Sequence, residues 1–376
     1  MDRETDMVPP LSIGGWPALS RWALGPGTQF ADPALLVDGL VAAVRADGIG
    51  EARLPAELTL TLRSANPLLM TSEVRWTLAR NGAEERLSLG LDDMMPGATA
   101  ATDIHRTVTR RIPLADGSVQ VLRLACDADG AGAATLDPLA DAMAAALLGP
   151  LEALIGRRAL VTLAETYLGR RSARKVLEGA ITRGHRERIE AVLWVSDLRG
   201  FTALSERLPP DRVVALLNAY FERQAAPIRA FGGEVLKFIG DGLLAIFPIE
   251  DGDADQAMRQ AVRAARSALG SVTAYRQKAE AAGEPAPAIG IALHLGPVDY
   301  GNIGAPDRLD FTAIGATVNL ASRLEGLCKP LGIPLILSAA AAAHAGEPIA
   351  VLADQRVPGI AEPIRIMTLA DFAPKS

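Results

Sequence analysis

Two aspartates stand at positions where predicted strands end or turn. The first, Asp197, follows the apolar run 191–196, which is typical of a buried strand. The second, Asp241, lies at the tip of a predicted hairpin between the runs 234–239 and 242–248. If the two strands are neighbours, the two carboxylates come together, and paired carboxylates suit hard divalent cations that also hold a phosphate chain. The plain alternative is that Asp197 caps a helix and Asp241 is only a turn residue.

A helix start follows the first aspartate directly. Gly200 leads into an amphipathic pattern with Phe201, Leu204 and Leu208 on one face. Backbone N–H groups at such a helix start have no partner within the helix, so they can bind anions. The N–H groups that we expect to hold phosphate oxygens are those of Arg199, Gly200, Phe201 and Thr202.

A polar pair follows further along the chain, in a helix predicted from Val318 to Cys328. Asn319 and Arg323 are four residues apart, so they lie on one helical face and can reach the same ligand. A planar and permanently charged guanidinium suits charge that develops on phosphate oxygens. The alternative is an ordinary surface helix on which Arg323 pairs with Glu325 or another carboxylate.

Taken in order, these segments resemble the class III nucleotidyl cyclases. The features shared with that family are the strand that ends on Asp197, the Gly-Phe-Thr helix start, Gly232-Gly233, the run Lys237-Phe-Ile-Gly-Asp-Gly, and the run Val318-Asn-Leu-Ala-Ser-Arg. The resemblance covers roughly residues 188–369. It implies an α+β protein whose catalytic domain has a ferredoxin-like β-α-β-β-α-β core.

The resemblance also implies a reaction and a role for each site residue. The reaction is conversion of ATP to 3′,5′-cyclic AMP and pyrophosphate, with two Mg²⁺ or Mn²⁺ ions per site and composite sites shared across a homodimer. The implied roles are metal binding by Asp197, Asp241 and the Leu198 carbonyl, purine binding by Lys237 and Thr312, and binding of the ribose and the transferring phosphoryl group by Asn319 and Arg323.

The choice of base depends on two of these residues. Lys237 can donate to a ring nitrogen of adenine, and the Thr312 hydroxyl can accept from its amino group. Guanylyl cyclases usually have Glu and Cys at these places, and Thr instead of the commoner Asp resembles the Thr-containing adenylate cyclase subgroup. ATP is therefore the expected substrate. The alternatives are a guanylate or relaxed purine cyclase, and a non-catalytic homologue that binds a nucleotide as a regulatory module.

Two positions depart from the family pattern. Ala316 stands where many members have a polar residue, and Pro358 stands where many have a lysine that contacts phosphate. Arg356 is a candidate substitute for that lysine. Loss of one phosphate contact is expected to weaken ATP binding by about 1–3 kcal/mol without abolishing the chemistry.

Length and composition set the wider frame. The 376 residues suffice for about two domains, and a net charge of -6 without a dense basic block does not favour a nucleic-acid partner. Every long apolar stretch is interrupted before the roughly 20 residues that a membrane span needs, so no such span is expected. The polar, acidic N-terminus is not typical of a secretory signal. Two cysteines without metal-ligand spacing fit a cytoplasmic setting.

Three segments are expected. Residues 1–135 have a helix followed by alternating runs at 57–62, 72–78, 107–112 and 118–124, with hairpin turns expected at Arg80-Asn81-Gly82 and Ala115-Asp116-Gly117. This layout resembles a small GAF- or PAS-type sensor domain for an unknown small-molecule or protein signal. The alternative is a structural domain that assists dimerisation. Residues 136–187 are predicted to form a connecting signalling helix that Pro150 kinks or divides, although the basic part 167–177 also fits a membrane-surface helix. Residues 188–376 are the expected catalytic domain.

Overall fold

The computed structural model describes residues 15–63, 71–79, 82–88, 106–127, 132–356 and 362–374. The chain forms two compact units, Met1–Leu163 and Ala164–Ser376. Pro358 and the predicted turn residues Arg80 and Asn81 lie outside the described residues.

The first unit is an antiparallel sheet packed against helices. Its strand order is β3-β2-β1-β5-β4, and every pair is antiparallel. In β2 buried and half-buried residues alternate, so Val74 and Trp76 point into the core. The layout of helix, sheet and closing helix matches the prediction. The elements are α1 (Pro17–Leu24), α2 (Pro33–Ala46), β1 (Glu57–Leu62), β2 (Thr71–Thr77), β3 (Gly82–Ser88), β4 (Arg106–Pro113), β5 (Val119–Cys126) and α3 (Leu136–Leu168).

The predicted turn between β4 and β5 is confirmed. Leu114 N–H donates to the Ser118 carbonyl at 2.9 Å, and the Asp116 carboxylate accepts from Ser118 N–H at 2.8 Å. Gly117 has a φ of 82°, which a residue with a side chain rarely adopts. The Asp-Gly sequence therefore fixes this hairpin, as the pattern predicted.

Pro150 does not divide the helix, which was one of the two outcomes predicted for it. Helix α3 runs without a break from Leu136 to Leu168, and Pro150 is buried in the core of the first unit with Leu147 and Leu151. Packing there outweighs the backbone hydrogen bond that proline cannot make. The chain instead breaks at Gly169, which has a φ of 82° and precedes α4 (Arg170–Leu177).

By length and composition α3 could cross a membrane, and 61% of its apolar window is buried within the protein. Its buried residues between Leu136 and Ile155 belong to the core of the first unit, as expected for a helix packed inside a protein. Segment 136–187 therefore contributes to both units, since the first unit extends to Leu163.

The second unit is built on one large sheet. Helices α6 and α7 cover one face of it, and α4 and α8 pack against the other. The elements after α4 are β6 (Arg186–Leu198), α5 (Phe201–Ser205), α6 (Pro210–Ala230), β7 (Glu234–Ile239), β8 (Gly242–Pro248), α7 (Ala254–Ala281), β9 (Ile289–Ala305), β10 (Arg308–Ile314), α8 (Ala316–Glu325), α9 (Cys328–Leu331), β11 (Leu335–Ser338), α10 (Ala339–Ala342), β12 (Ile349–Gln355) and β13 (Ile364–Leu369).

The strand order confirms the predicted topology. Strands β6 to β9 lie in the order β9-β6-β8-β7, all antiparallel, with helices after β6 and after β8, which is the ferredoxin-like arrangement. Strand β11 adds parallel to β9, and β13 and β12 extend that edge. Strand β10 pairs only with the second half of β9.

Local boundaries differ from the prediction at three places. The amphipathic pattern after Gly200 is divided into α5 and α6 at Pro209-Pro210, and Pro210 takes the first position of α6, where its missing N–H would have no partner within the helix. The helix predicted to end at Cys328 ends at Glu325, and α9 follows. Strand β12 was not predicted.

Candidate active site

The two aspartates meet at one end of the sheet. Ser196 pairs with Leu243 across β6 and β8, so Asp197 lies beside the β7–β8 turn that carries Asp241. A Cβ atom placed on Gly242 would lie 3.6 Å from Asp197 Oδ1. Burial and then the neighbouring Asp241 carboxylate raise the pKa of Asp197 to about 6. Two adjacent carboxylates repel each other and so do not stabilise the fold by themselves. A cation between them would remove that repulsion, so the pair is suited to binding one.

A third carboxylate, which sequence reasoning did not assign to the site, faces this pair. Gly290 lies opposite Asp197 in the β6–β9 ladder, and a Cβ atom at Gly290 would lie 2.7 Å from Glu325 Oε1. Burial, and next the charge of Asp197, raise the pKa of Glu325 to about 7. The sequence offers little signal for this role, because Glu325 lies two residues beyond Arg323 on a different side of the helix.

The expected phosphate-binding segment requires one correction. The Arg199 backbone N–H donates to the Ala288 carbonyl at 2.8 Å, which extends the strand ladder, so this group is not free to bind phosphate. The Arg199 guanidinium donates to the carbonyls of Cys328 and Ile333 instead. Gly200 has a φ of 76°, and Phe201 and Thr202 begin α5, so their N–H groups lie in the first turn of a helix.

The two predicted base-binding residues lie on β7 and β10, which an ion pair links. Lys237 on β7 forms an ion pair with Asp310 on β10, and Thr312 lies two residues further along the same strand. The Thr312 hydroxyl oxygen is buried and has no hydrogen-bond partner among the described residues. A buried hydroxyl without a partner is costly, so this atom is suited to a hydrogen bond with a ligand. The pairing of Lys237 with Asp310 was not predicted.

The Asn319 and Arg323 pair lies on the outer side of α8. Both side chains are exposed, and neither has a hydrogen bond or ion pair within the part of the chain that the structure describes. The alternative in which Arg323 pairs with Glu325 is wrong, because Glu325 faces Asp197. At about 100° per residue, Glu325 lies roughly 120–160° around the helix axis from the other two. On α8, Glu325 therefore faces Asp197 of the same chain, whereas Asn319 and Arg323 point outward.

The carboxylates fit a hard divalent cation. Asp197 and Asp241 adjoin, and burial and then the Asp241 carboxylate raise the pKa of Asp197. Within the described ranges no group of three or more His, Cys, Asp or Glu residues is arranged to hold a metal by itself. Two carboxylates and the Leu198 carbonyl would therefore share such an ion with oxygen atoms of a ligand, as Mg²⁺ sites commonly do.

Comparisons with known proteins agree with this geometry. The family model described as the adenylate and guanylate cyclase catalytic domain matches residues 186–347. Adenylate cyclase 1 of Rhizobium meliloti (strain 1021) is 34% identical over 194 residues, which cover 50% of this chain and 28% of that protein. Adenylate cyclase of Anabaena cylindrica is 36% identical over 143 residues, which cover 38% of this chain and 28% of that protein. The matched region thus spans little more than a quarter of either relative.

Among solved structures, a bacterial light-regulated adenylyl cyclase is 28% identical, with a TM-score of 0.51. The match covers 60% of this chain and 65% of that one. None of these matches identifies the family of the N-terminal unit. Residues 186–347 are therefore similar to the catalytic domain of the adenylate and guanylate cyclases.

Proposed function

We propose that this chain is an adenylate cyclase that converts ATP to 3′,5′-cyclic AMP and pyrophosphate. The observation that carries the choice of base is the Thr312 hydroxyl, which is buried and has no partner among the described residues, on the strand whose Asp310 pairs with Lys237. Lys237 donates to a ring nitrogen of adenine, and the Thr312 oxygen accepts from the amino group. Two relatives that match this region are named adenylate cyclases, which supports the same choice.

The remaining residues divide the work of phosphoryl transfer. Asp197, Asp241 and the Leu198 carbonyl hold Mg²⁺ or Mn²⁺, two ions per site, which supply acidification of the ribose 3′-hydroxyl and charge neutralisation at the phosphates. Arg323 stabilises charge on the α-phosphate, and Asn319 orients the ribose. The N–H groups of Phe201 and Thr202, with that of Gly200, hold the phosphate chain.

The two sides of α8 support a homodimer with two composite sites. Asn319 and Arg323 are exposed and point away from the side of α8 on which Glu325 meets Asp197. A second copy of the chain places its own Asn319 and Arg323 against these carboxylates. Two-fold symmetry then produces two equivalent sites.

The N-terminal unit is proposed to regulate this reaction as a GAF- or PAS-like sensor, and the chain is proposed to act in the cytoplasm. The antiparallel sheet flanked by helices supports the first proposal. Two buried cysteines that form no disulfide support the second. The signal is a small molecule or a protein surface.

The test is turnover of ATP and GTP side by side by the purified chain with Mn²⁺, followed through cyclic nucleotide and pyrophosphate. We expect a higher kcat/KM for ATP. An equal or higher value for GTP would replace this proposal with a guanylate or relaxed purine cyclase. Binding of both nucleotides without turnover would identify a regulatory homologue.

A further inference from the structure

The segment 169–185, which we call the strap, is tied to β7 at its start. Glu234 Oε1 accepts hydrogen bonds from the N–H groups of Arg171 at 2.9 Å and Ser172 at 3.3 Å. Glu234 thereby caps α4, whose own N-cap residue is Gly169 and has no side chain to do so. A Cβ atom on Gly169 would lie 2.6 Å from Glu234 Oε1, so glycine is required for this close approach.

The strap is also tied to the paired strands β9 and β10. Ser172 Oγ and Tyr300 Oη, both buried, form a 2.8 Å hydrogen bond, and the Tyr300 ring meets the edge of Phe311 at 4.9 Å between centroids. The Asn302 side chain donates to the carbonyls of Ala180 and Thr182 further along the strap. In the ladder Gly301 pairs with Thr312, so the strap holds both neighbours of the residue opposite Thr312.

These ties matter because β7 and β10 carry the two halves of the base pocket. The strands are not hydrogen-bonded neighbours in the sheet. A polar side-chain link between them is the Lys237–Asp310 ion pair, which is half exposed, and Leu236 of β7 and Phe311 of β10 also belong to one apolar cluster. Exposed ion pairs contribute little, at most about 1 kcal/mol. The buried hydrogen bonds of the strap therefore contribute more than this ion pair to fixing the distance between Lys237 and Thr312.

We propose that Glu234 and Tyr300 are positioning residues for the nucleotide base, which act through the strap on Lys237 and Thr312. The strap holds the strands of these two residues at the separation that one purine spans. This inference rests on the proposed function, because it assigns the base to these two side chains. It extends that function by naming residues that never touch the nucleotide and yet set its affinity.

The test compares KM for ATP, kcat, and the dissociation constant of 3′-deoxy-ATP, which lacks the attacking hydroxyl and cannot be cyclised. Glu234→Ala removes the cap, and Tyr300→Phe removes only the hydroxyl that meets Ser172. We expect KM and the dissociation constant to rise about three- to tenfold, the worth of one or two hydrogen bonds, with kcat changed less than about twofold. The smaller Tyr300→Phe change covers the case in which Glu234→Ala does not fold.

Lys175→Gln is the matched control. Lys175 lies in the same helix and pairs with Glu187 at 2.9 Å, which connects the strap to β6 and not to β7 or β10. This variant should leave KM unchanged. A second control is Lys237→Ala, in whose background Glu234→Ala should no longer raise KM, because the positioned group is gone.

The outcomes separate the two proposals. A lower melting temperature with unchanged nucleotide affinity in both strap variants would show that the strap is only structural. An additive effect in the Lys237→Ala background would overturn positioning through Lys237. A wild-type chain that binds 3′-deoxy-ATP without turning over ATP contradicts the proposed activity, while the binding measurements still test the strap. A chain that does not bind 3′-deoxy-ATP overturns both.

Discussion

A charge cluster in the first unit and a carboxylate pair in the second unit differ in whether opposite charges compensate them. In the first unit Arg110 lies between Asp141, at 2.6 Å, and Asp137, at 3.0 Å, and Arg106 also pairs with Asp137. The hydrogen bond from Arg110, followed by that from Arg106, lowers the pKa of Asp137. In the second unit burial and Asp241 raise the pKa of Asp197.

This difference separates structural from functional electrostatics. The Arg106, Arg110, Asp137 and Asp141 side chains of the first unit neutralise one another within the same fold. In the second unit two carboxylates lie together. Among the described residues, the exposed Arg323 has no ion-pair partner and the buried Thr312 hydroxyl has no hydrogen-bond partner. Groups that the fold leaves unsatisfied are the ones that a ligand or a second chain can satisfy.

The largest expected effect is loss of turnover on neutralising either aspartate. Asp197→Asn and Asp241→Asn should each lower kcat about 100-fold or more at saturating Mn²⁺, because a lost metal ligand costs well over 1.4 kcal/mol of transition-state stabilisation. The fold should persist, since both residues lie at element ends. Activity above about a tenth of wild type in either variant would show that these are ordinary turn residues.

A mixing experiment tests whether Arg323 of one chain completes the site that contains Asp197 of the other. Asp197→Asn and Arg323→Ala proteins should each be nearly inactive alone. In a mixed dimer one site collects both lesions and the other has none. At equal amounts with free exchange, activity should return to roughly a quarter of wild type. Exchange is verified by capturing one tagged protein with the other, and mixed dimers that stay inactive contradict the shared site.

The base pocket gives a smaller effect. Lys237→Glu with Thr312→Cys inverts the donor and acceptor pattern, so the ratio of kcat/KM for ATP to that for GTP should fall at least about tenfold, the worth of one or two hydrogen bonds. Each single variant serves as a control for general damage to the pocket. An unchanged ratio in the double variant would remove both residues from base recognition.

Arg110→Met tests the structural charges of the first unit. It should lower stability by about 1 kcal/mol or less, because the ion pairs are partly exposed. Turnover of the folded protein should not fall when signal-independent activity is measured with Mn²⁺. Urea unfolding measures the stability of this variant, and the ATP assay measures its turnover. A loss of turnover as large as that of Asp197→Asn would contradict the contrast between the units.

Lowering the pH should change the contributions of Asp197 and Asp137 to stability in opposite directions. The raised pKa of Asp197 means that the metal-free folded chain binds more protons than the unfolded one between about pH 4 and 6, so this residue costs stability as the pH rises through that window. Asp137, with a lowered pKa, contributes stability above its unfolded pKa and loses it as the pH falls.

Urea unfolding in EDTA checks this sign. Asp197→Asn should be more stable than wild type at pH 7, and the advantage should shrink towards pH 4. For Asp137→Asn the deficit should instead shrink as the pH falls below the unfolded pKa of about 4. Parallel pH curves for the two variants would contradict the assignment.

Much of the second unit could be predicted because its signals are local. The strand that ends at Asp197 and the Gly-Asp-Gly hairpin both formed where the pattern placed them. The i, i+4 spacing put Asn319 and Arg323 on one face. Pro150 does not divide α3, because burial in the core of the first unit keeps α3 helical through it.

The sequence by itself determined which groups are available: the two aspartates, the Lys237 and Thr312 pair, and the outward pair on α8. Their chemistry and spacing are properties of short segments, which local periodicity reports. Only the tertiary structure decided which of them are already satisfied. It bound the Arg199 N–H to Ala288, placed Glu325 beside Asp197, and tied the strap to β7 through Glu234. These contacts join residues about 60 to 130 positions apart along the chain, as in the 63-residue separation of Arg171 and Glu234, and no local pattern encodes such pairings.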